Sequence, residues 1–191
     1  MRAGWDEGGA GAEVVAVDAA TGKALAPVDR IKAHTGEGIL HQAFLTLLVE
    51  GQGENMRLLL CRRSPLKRLW GGVLADSCAG HPLPGEGVAA ATARRINEEL
   101  GIMREPDELK HLGHVVYRED HGDGRCECEW CEVYLARVKP GELHINQEEI
   151  SEVRRVALSE LDGYLQGHPE QLAPWLREAL SDPSIRTALA M

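Results

Sequence analysis

The stretch Gly80-His81-Pro82-Leu83-Pro84-Gly85-Glu86 leads, a few residues on, into Arg94-Arg95-Ile96-Asn97-Glu98-Glu99-Leu100-Gly101-Ile102. A glycine-rich loop feeding a helix, with Glu98 and Glu99 about one turn from Arg94 and Arg95, can offer carboxylate oxygens to a hard divalent cation that also holds a diphosphate. A capped surface helix with solvated charges is the plainer alternative. Three imidazoles (His34, His41, His81) and the pair Glu127 and Glu129 form a second group. The i, i+2 spacing puts both glutamates on one strand face, and the five side chains could surround one divalent ion. Any one of these histidines alone reads more simply as a surface or satisfied core residue. Residues 62–68 carry Arg62, Arg63, Lys67 and Arg68. They are either a solvated basic face or phosphate-binding cations, since guanidinium forks match phosphate oxygens. In Cys126-Glu127-Cys128-Glu129-Trp130-Cys131 the first two thiols fall on the face opposite the glutamates. Three thiols with no second half at finger spacing do not make a zinc module.

The elements that must position these residues belong to a chain of 191 residues, 43% apolar and 27% charged, which suits a single soluble core with tails. A formal charge of −9 excludes a global basic footprint for nucleic acid, so an anionic ligand must be met by local cations or a metal. The apolar run at residues 43–49 is too short to span a bilayer. Residues 1–11 lack a basic start followed by an apolar stretch, so no secretory signal is expected and a cytoplasmic setting is the default. Five cysteines, an odd number, fit a reducing compartment better than a disulfide framework. Residues 1–12 read as a flexible tail and residues 13–191 as one domain. Strands are expected at 13–18, 40–49, 57–61, 114–117 and 129–137, with turns at 20–23, 50–55 and 121–124. A helix over 88–100 has an apolar stripe of Val88, Ala91, Ile96 and Leu100 and a stop at Gly101. Residues 71–87 read as a glycine- and proline-containing loop, and 158–165 and 174–180 as closing helices.

The spacing from Gly80 to Gly101 resembles the Nudix box: a glycine, then after five intervening residues a glutamate, then an arginine and a Glu-Glu-x-Gly end. Arg95 departs from it, standing where hydrolases of that superfamily carry a metal-binding glutamate. Further segments resemble one branch, the type I isopentenyl diphosphate isomerases. They are Ala33-His34-Thr35, Leu40-His41-Gln42-Ala43-Phe44, Leu58-Leu59-Leu60-Cys61-Arg62-Arg63-Ser64, Lys67-Arg68-Leu69-Trp70, Gly80-His81-Pro82, Glu127-Cys128-Glu129 and Pro174-Trp175. They stand in family order from about Val14 to Trp175, and an arginine pair ahead of Ile96 is that family's habit. The resemblance implies a Nudix-type α/β/α sandwich around a mixed sheet, in a single domain. It also implies a small-molecule diphosphate substrate and a monomer or homodimer, with no nucleic-acid or membrane partner.

By the same resemblance His34, His41, His81, Glu127 and Glu129 hold a divalent metal, and Glu99 helps hold a second ion against the diphosphate. Mg²⁺ and Mn²⁺ are the implied ions, with Zn²⁺ an alternative in the His/Glu site. Arg63, Lys67 and Arg95 match phosphate-contacting cations, and Arg30 stands where the family tends to have lysine. Trp175 fits an apolar wall near a short prenyl chain, whereas Trp70 reads as core. The family shifts the double bond with a glutamate, matching Glu129, and a cysteine immediately before Gly-His-Pro. This chain has Ala79 there, and Cys78 one residue early. On an extended backbone that shift turns the thiol to the other face. Three explanations stand open: a Cys-to-Ala variant, use of Cys78 after a local bulge, or departure from isomerase chemistry with the metal and diphosphate sites retained. Leu74-Ala75-Asp76, where the family has Trp-Thr-Asn, favours natural divergence. The functional readings are therefore an isomerase of a short prenyl diphosphate, a Nudix diphosphate hydrolase acting on a prenyl or other organic diphosphate, or a diphosphate-binding protein. On the first, the five metal-ligand candidates converge on one point, and Glu99, Arg63, Lys67 and Arg95 face the same cavity.

Overall fold

The computed structural model describes residues 12–167 and 169–190. The expected tail, residues 1–12, lies outside them except for Ala12, whose carbonyl accepts from the Arg30 amide. The chain opens with a hairpin of β1 (Glu13–Val17) and β2 (Ala24–Asp29), followed by the short helix α1 (Arg30–Ala33). The spine of the sheet is β3 (His41–Glu50), a nearly continuous apolar run, as a strand covered on both faces must be. Along one edge of β3, three strands pair antiparallel in succession. These are β1 at His41, β6 (Cys78–Gly80) at Phe44 to Thr46, and β4 (Arg57–Arg63) at Leu48 to Glu50. Along the other edge runs β8 (Cys126–Val138), parallel to it from His41 opposite Glu129 to Glu50 opposite Val138. The two-residue β5 (Leu74–Ala75) and β9 (Ile150–Ala157) pair with β4, and β7 (Lys110–Asp120) pairs with β8.

Alternation along β3 divides the core. Ala43, Leu45, Leu47 and Val49 pack with Val133 and Leu135 of β8 beneath α4 (Pro174–Ser181) and α5 (Pro183–Ala190). Phe44 and Leu48 pack with Ile96 and Leu100 of α2 (Val88–Leu100) on the other face. The helix α3 (Leu161–Gly167) adds Leu161 to the first layer. This is the α/β single-domain sandwich around a mixed sheet. None of the described helices is long and apolar enough to cross a membrane.

The loop into α2 is latched by its own box residues. Arg94 donates two hydrogen bonds of 2.8 Å, from Nε and Nη2, to the Glu86 carboxylate, which also accepts from the Leu83 amide. At the far end Gly101 caps the helix at φ +68°, its amide bonding the Asn97 carbonyl at 2.9 Å. A Cβ at this glycine would sit 2.9 Å from the His144 carbonyl.

Several elements exceed the sequence expectation. Strands β7 and β8 extend well beyond 114–117 and 129–137. Residues 71–87 contain β5 and β6, and β2, β9, α1 and α5 were not expected at all. Strand β9 is masked in sequence by Glu152, Arg154 and Arg155: Arg62 of β4 and Arg154 of β9 itself donate to Glu152, and Arg155 donates to Glu50 of β3.

Gly101→Ala is expected to cost at least about 1–2 kcal/mol from the left-handed backbone alone, with the contact at His144 adding to it. Urea unfolding should show a lower midpoint at an unchanged slope, and an unchanged midpoint would contradict the capping role.

Candidate active site

The strand registers assemble the first group of side chains. Parallel pairing sets His41 beside Glu129, Glu127 lies two residues earlier on the same face, and β6 ends at Gly80 to deliver His81. His34 caps the C-terminus of α1. One donor atom from each of the five residues falls within 4.8 Å of all the others. His41 Nε2 and His81 Nε2 are 3.0 Å apart, His81 Nε2 and Glu129 Oε1 2.9 Å, and His34 Nε2 and Glu127 Oε2 3.0 Å. His34 Nε2 and Glu127 Oε2 are buried and, despite that approach, make no hydrogen bond. Atoms aimed at a common point rather than at each other fit a cation between them. The Nδ1 atoms of His34 and His41 each lie 2.7 Å from a backbone carbonyl, of Arg30 and Ile39. That contact makes Nδ1 the N–H and leaves the Nε2 lone pair for a ligand.

The electrostatics agree. Burial, reinforced by His81 and His34, holds the His41 imidazole well below its ordinary pKa. Burial, then repulsion from Glu129, pushes the Glu127 carboxyl up. Against burial, Glu127 holds the His34 imidazole above its ordinary pKa, and a divalent ion would relieve the crowding of the carboxylates. Among the described residues no cysteine joins this group. Cys126 and Cys128 pack instead toward Gly38, where a Cβ would meet both at 2.9 Å.

A cavity of about 470 Å³ is lined by His81, Glu127 and Glu129 and by the cations Arg30, Arg63, Lys67 and Arg95, with Trp175 in its wall. In a chain of net charge −9 this cavity thus brings several cations together, beside Glu98, Glu127 and Glu129. Arg95 and Lys67 are held by acids, of which Glu99 and Glu149 are buried and Glu98 is exposed. Arg95 Nη2 donates to Glu99 at 2.6 Å and to Glu149 at 3.0 Å, its Nη1 donates to Glu98 at 2.8 Å, and Lys67 Nζ lies 2.6 Å from Glu149. Burial works against the Arg95 charge, but Glu99 and Glu149 keep its pKa raised. Arg63 lies over the Trp175 ring at 5.3 Å.

Glu99 corrects one expectation. It does not line this cavity but sits behind Arg95, in a smaller adjoining recess. As the i+4 partner of Arg95 it is pulled beneath that guanidinium. Ala79 lines the cavity, whereas Cys78 is 2% exposed and packs in the α2 layer with Ile96. The β6 backbone carries no bulge that would bring the thiol round.

Three further residues escaped the sequence reading. Tyr117, buried, donates its hydroxyl to Glu129 Oε2. It stands directly opposite Glu129 in the β7/β8 register, and the Gly-Asp-Gly turn between those strands could have revealed it. Glu149 precedes β9 and had no local signal. Asp76 is 2% exposed; its Oδ1 accepts from the Trp175 indole N–H at 2.7 Å, while Oδ2 is buried without a hydrogen bond. Burial, against the pull of the indole and of Arg63, pushes this carboxyl up to about 6. A carboxyl raised above its unfolded value of 3.8 subtracts stability as pH rises past that value, and in full once pH exceeds about 6.

This fold and this site define a Nudix domain, and the family model for the NUDIX domain matches residues 39–181. The chain is 36% identical over 160 residues to an isopentenyl-diphosphate Delta-isomerase of Nocardia farcinica, covering 83% of this chain and 87% of that one. It is 36% identical over 178 residues to one of Paenarthrobacter aurescens, covering 93% and 92%. It is 32% identical over 173 residues to one of Halorhodospira halophila, covering 90% and 95%. In fold it is similar to the crystal structure of DR0079 from Deinococcus radiodurans, with TM-score 0.61 at 21% identity over 81% of this chain and 89% of that one. The chain belongs to the isopentenyl-diphosphate Delta-isomerase family of the Nudix superfamily.

If the five donors hold a cation, His41→Ala should weaken it by more than the roughly 10–100-fold that outer-shell partners contribute. Metal content after dialysis against Mn²⁺ or Zn²⁺ measures this, and a variant with wild-type content would remove His41 from the site.

Proposed function

We propose that the chain is a divalent-metal-dependent isomerase that interconverts isopentenyl diphosphate and its allylic isomer, dimethylallyl diphosphate. The observation that carries this reading is one cavity with His81, Glu127 and Glu129 in its wall and Arg30, Arg63, Lys67 and Arg95 facing the same space. The cations hold the diphosphate, because only ionised donors neutralise several phosphate oxygens at once. Trp175 offers an apolar wall to the short prenyl chain, and an indole face steadies positive charge that develops on it. Glu129, fixed by the Tyr117 hydroxyl, faces the alkene as one of the two proton-transfer groups. His34, His41, His81, Glu127 and Glu129 would hold the divalent ion, Mg²⁺ or Mn²⁺ with Zn²⁺ an alternative, and when bound it supplies a fixed positive charge that orients Glu129. Glu99 would bear on a second ion only from behind Arg95. A reducing, cytoplasmic setting fits the free cysteines.

Hydrolysis of a diphosphate is the second reading. The box end Glu98-Glu99 is intact and position 79 has no thiol, which favours it. Against it, Arg95 replaces the box carboxylate and its guanidinium caps both Glu98 and Glu99. That leaves the box without the open acidic cluster that metal-activated water requires.

Incubation with isopentenyl diphosphate, Mg²⁺ and Mn²⁺ in D₂O separates the readings. Deuterium should enter an allylic product, and Glu129→Gln should slow this by about 10²–10⁴-fold with substrate binding retained. Release of phosphate without deuterium would establish the hydrolase instead, and bound but unchanged substrate would leave a binding protein.

A further inference from the structure

The isomerase reading takes a proton-transfer group on each side of the substrate, and Glu129 with Tyr117 supplies only one. The other wall presents Ala79, whose methyl does no proton chemistry. Adjoining that wall is a recess of about 20 Å³, lined among others by Asp76, Ala79, Arg63, Lys67, Glu99 and Glu149. Arg63, Lys67 and Ala79 line the large cavity as well, so they form the partition between the two spaces. A polar recess of this size holds about one water, for which roughly 10–15 Å³ suffices. Glu99 and Glu149 are tied to Arg95, and Glu149 also to Lys67. Burial drives the Cys78 thiol well above its ordinary pKa. Asp76 differs from these: one oxygen is anchored by the Trp175 indole, and the other is buried and uncommitted.

We propose that, on the isomerase reading above, Asp76 acts through one water in this recess as the proton acceptor on the Ala79 side of the substrate, in place of the thiol that position 79 lacks. As a proton from the Glu129–Tyr117 side reaches the terminal alkene carbon, the π pair forms the new C–H bond. The allylic C–H bond breaks, and its electron pair becomes the new double bond. The allylic proton passes to the water while the water gives one of its own to the Asp76 carboxylate. The substrate gains one proton and loses one, and exchange with solvent resets both groups. A carboxyl held near 6 by burial is ionised at neutral pH yet more basic than an exposed aspartate, as this role requires. The Trp175 contact fixes its direction without consuming the second oxygen.

Asp76→Asn tests this, because the amide keeps the size of the side chain and an oxygen for the Trp175 N–H. In D₂O with isopentenyl diphosphate and Mg²⁺, turnover into deuterated allylic product should fall by about 100-fold or more. Inorganic pyrophosphate affinity should stay within about twofold, and the thermal midpoint should not fall, since the variant removes a buried charge. Adding Ala79→Cys to Asp76→Asn should recover at least tenfold of the lost turnover, because that thiol stands on the cavity side of the partition. Asp76→Asn with more than a third of wild-type turnover overturns the proposal. So does loss of pyrophosphate binding, which would make Asp76 structural, and so does a double variant that binds pyrophosphate but recovers nothing. A wild-type chain that incorporates no deuterium strikes the isomerase reading itself and takes this inference with it, whereas failure at Asp76 alone leaves that reading standing.

Discussion

Burying two carboxylates and three imidazoles at one end of an apolar sheet is the constraint on which the rest of this structure depends. His41 has no exposed surface, and Glu127 and Glu129 are buried beside it. Unpaired ionised groups in such a place cost several kcal/mol each unless an opposite charge or well-placed hydrogen bonds answer them. The fold answers in part: two backbone carbonyls take the histidine Nδ1 positions and Tyr117 takes one Glu129 oxygen. What remains is a set of Nε2 and carboxylate atoms converging within 4.8 Å, a donor set that could hold a metal ion. The long parallel ladder between β3 and β8 makes the arrangement affordable, since it fixes His41 against Glu129 with a rigidity that loops do not offer.

The same logic, with signs reversed, runs through the phosphate wall. Arg95 and Lys67 are themselves largely buried and are oriented by Glu99 and Glu149. A diphosphate in this cavity would meet donors already held in place, and would lose less to side-chain ordering than against free surface lysines. It would also share those donors with the carboxylates, and a divalent ion held by the His/Glu group would supply positive charge that eases this. Arg95, which stands where the Nudix box has a glutamate, places its guanidinium against Glu98, Glu99 and Glu149.

Local pattern made the central part of this legible. The helix over 88–100, its Gly101 stop and the apolar runs at 40–49 and 57–61 all follow from periodicity, and the box spacing pointed to the fold. The parity argument at Cys78 and Ala79 follows from strand alternation alone, and the two side chains do face different layers. Other features depended on partners far along the chain. Strand β9 is stabilised by pairing with β4 rather than by its own charged sequence, and β5 and β6 are too short to have a pattern. Tyr117 required the hairpin register to the residue, because a slip of one exchanges the faces of a strand. Glu149 and Asp76 are acids whose meaning comes wholly from what folds over them, and Glu99 was set one layer too near the substrate because its pairing with Arg95 was weighed as surface chemistry.

Thermal unfolding as a function of bound metal tests most directly whether the five-donor cluster is built for a cation. Protein stripped with a chelator should unfold at a lower temperature than protein given Mn²⁺ or Zn²⁺ in excess. Occupancy at 100 times the dissociation constant contributes about 2.7 kcal/mol, which for a chain of this length is a rise of roughly 5–10 °C. The rise should disappear in His41→Ala. A wild-type midpoint indifferent to chelator and metal alike would contradict the account.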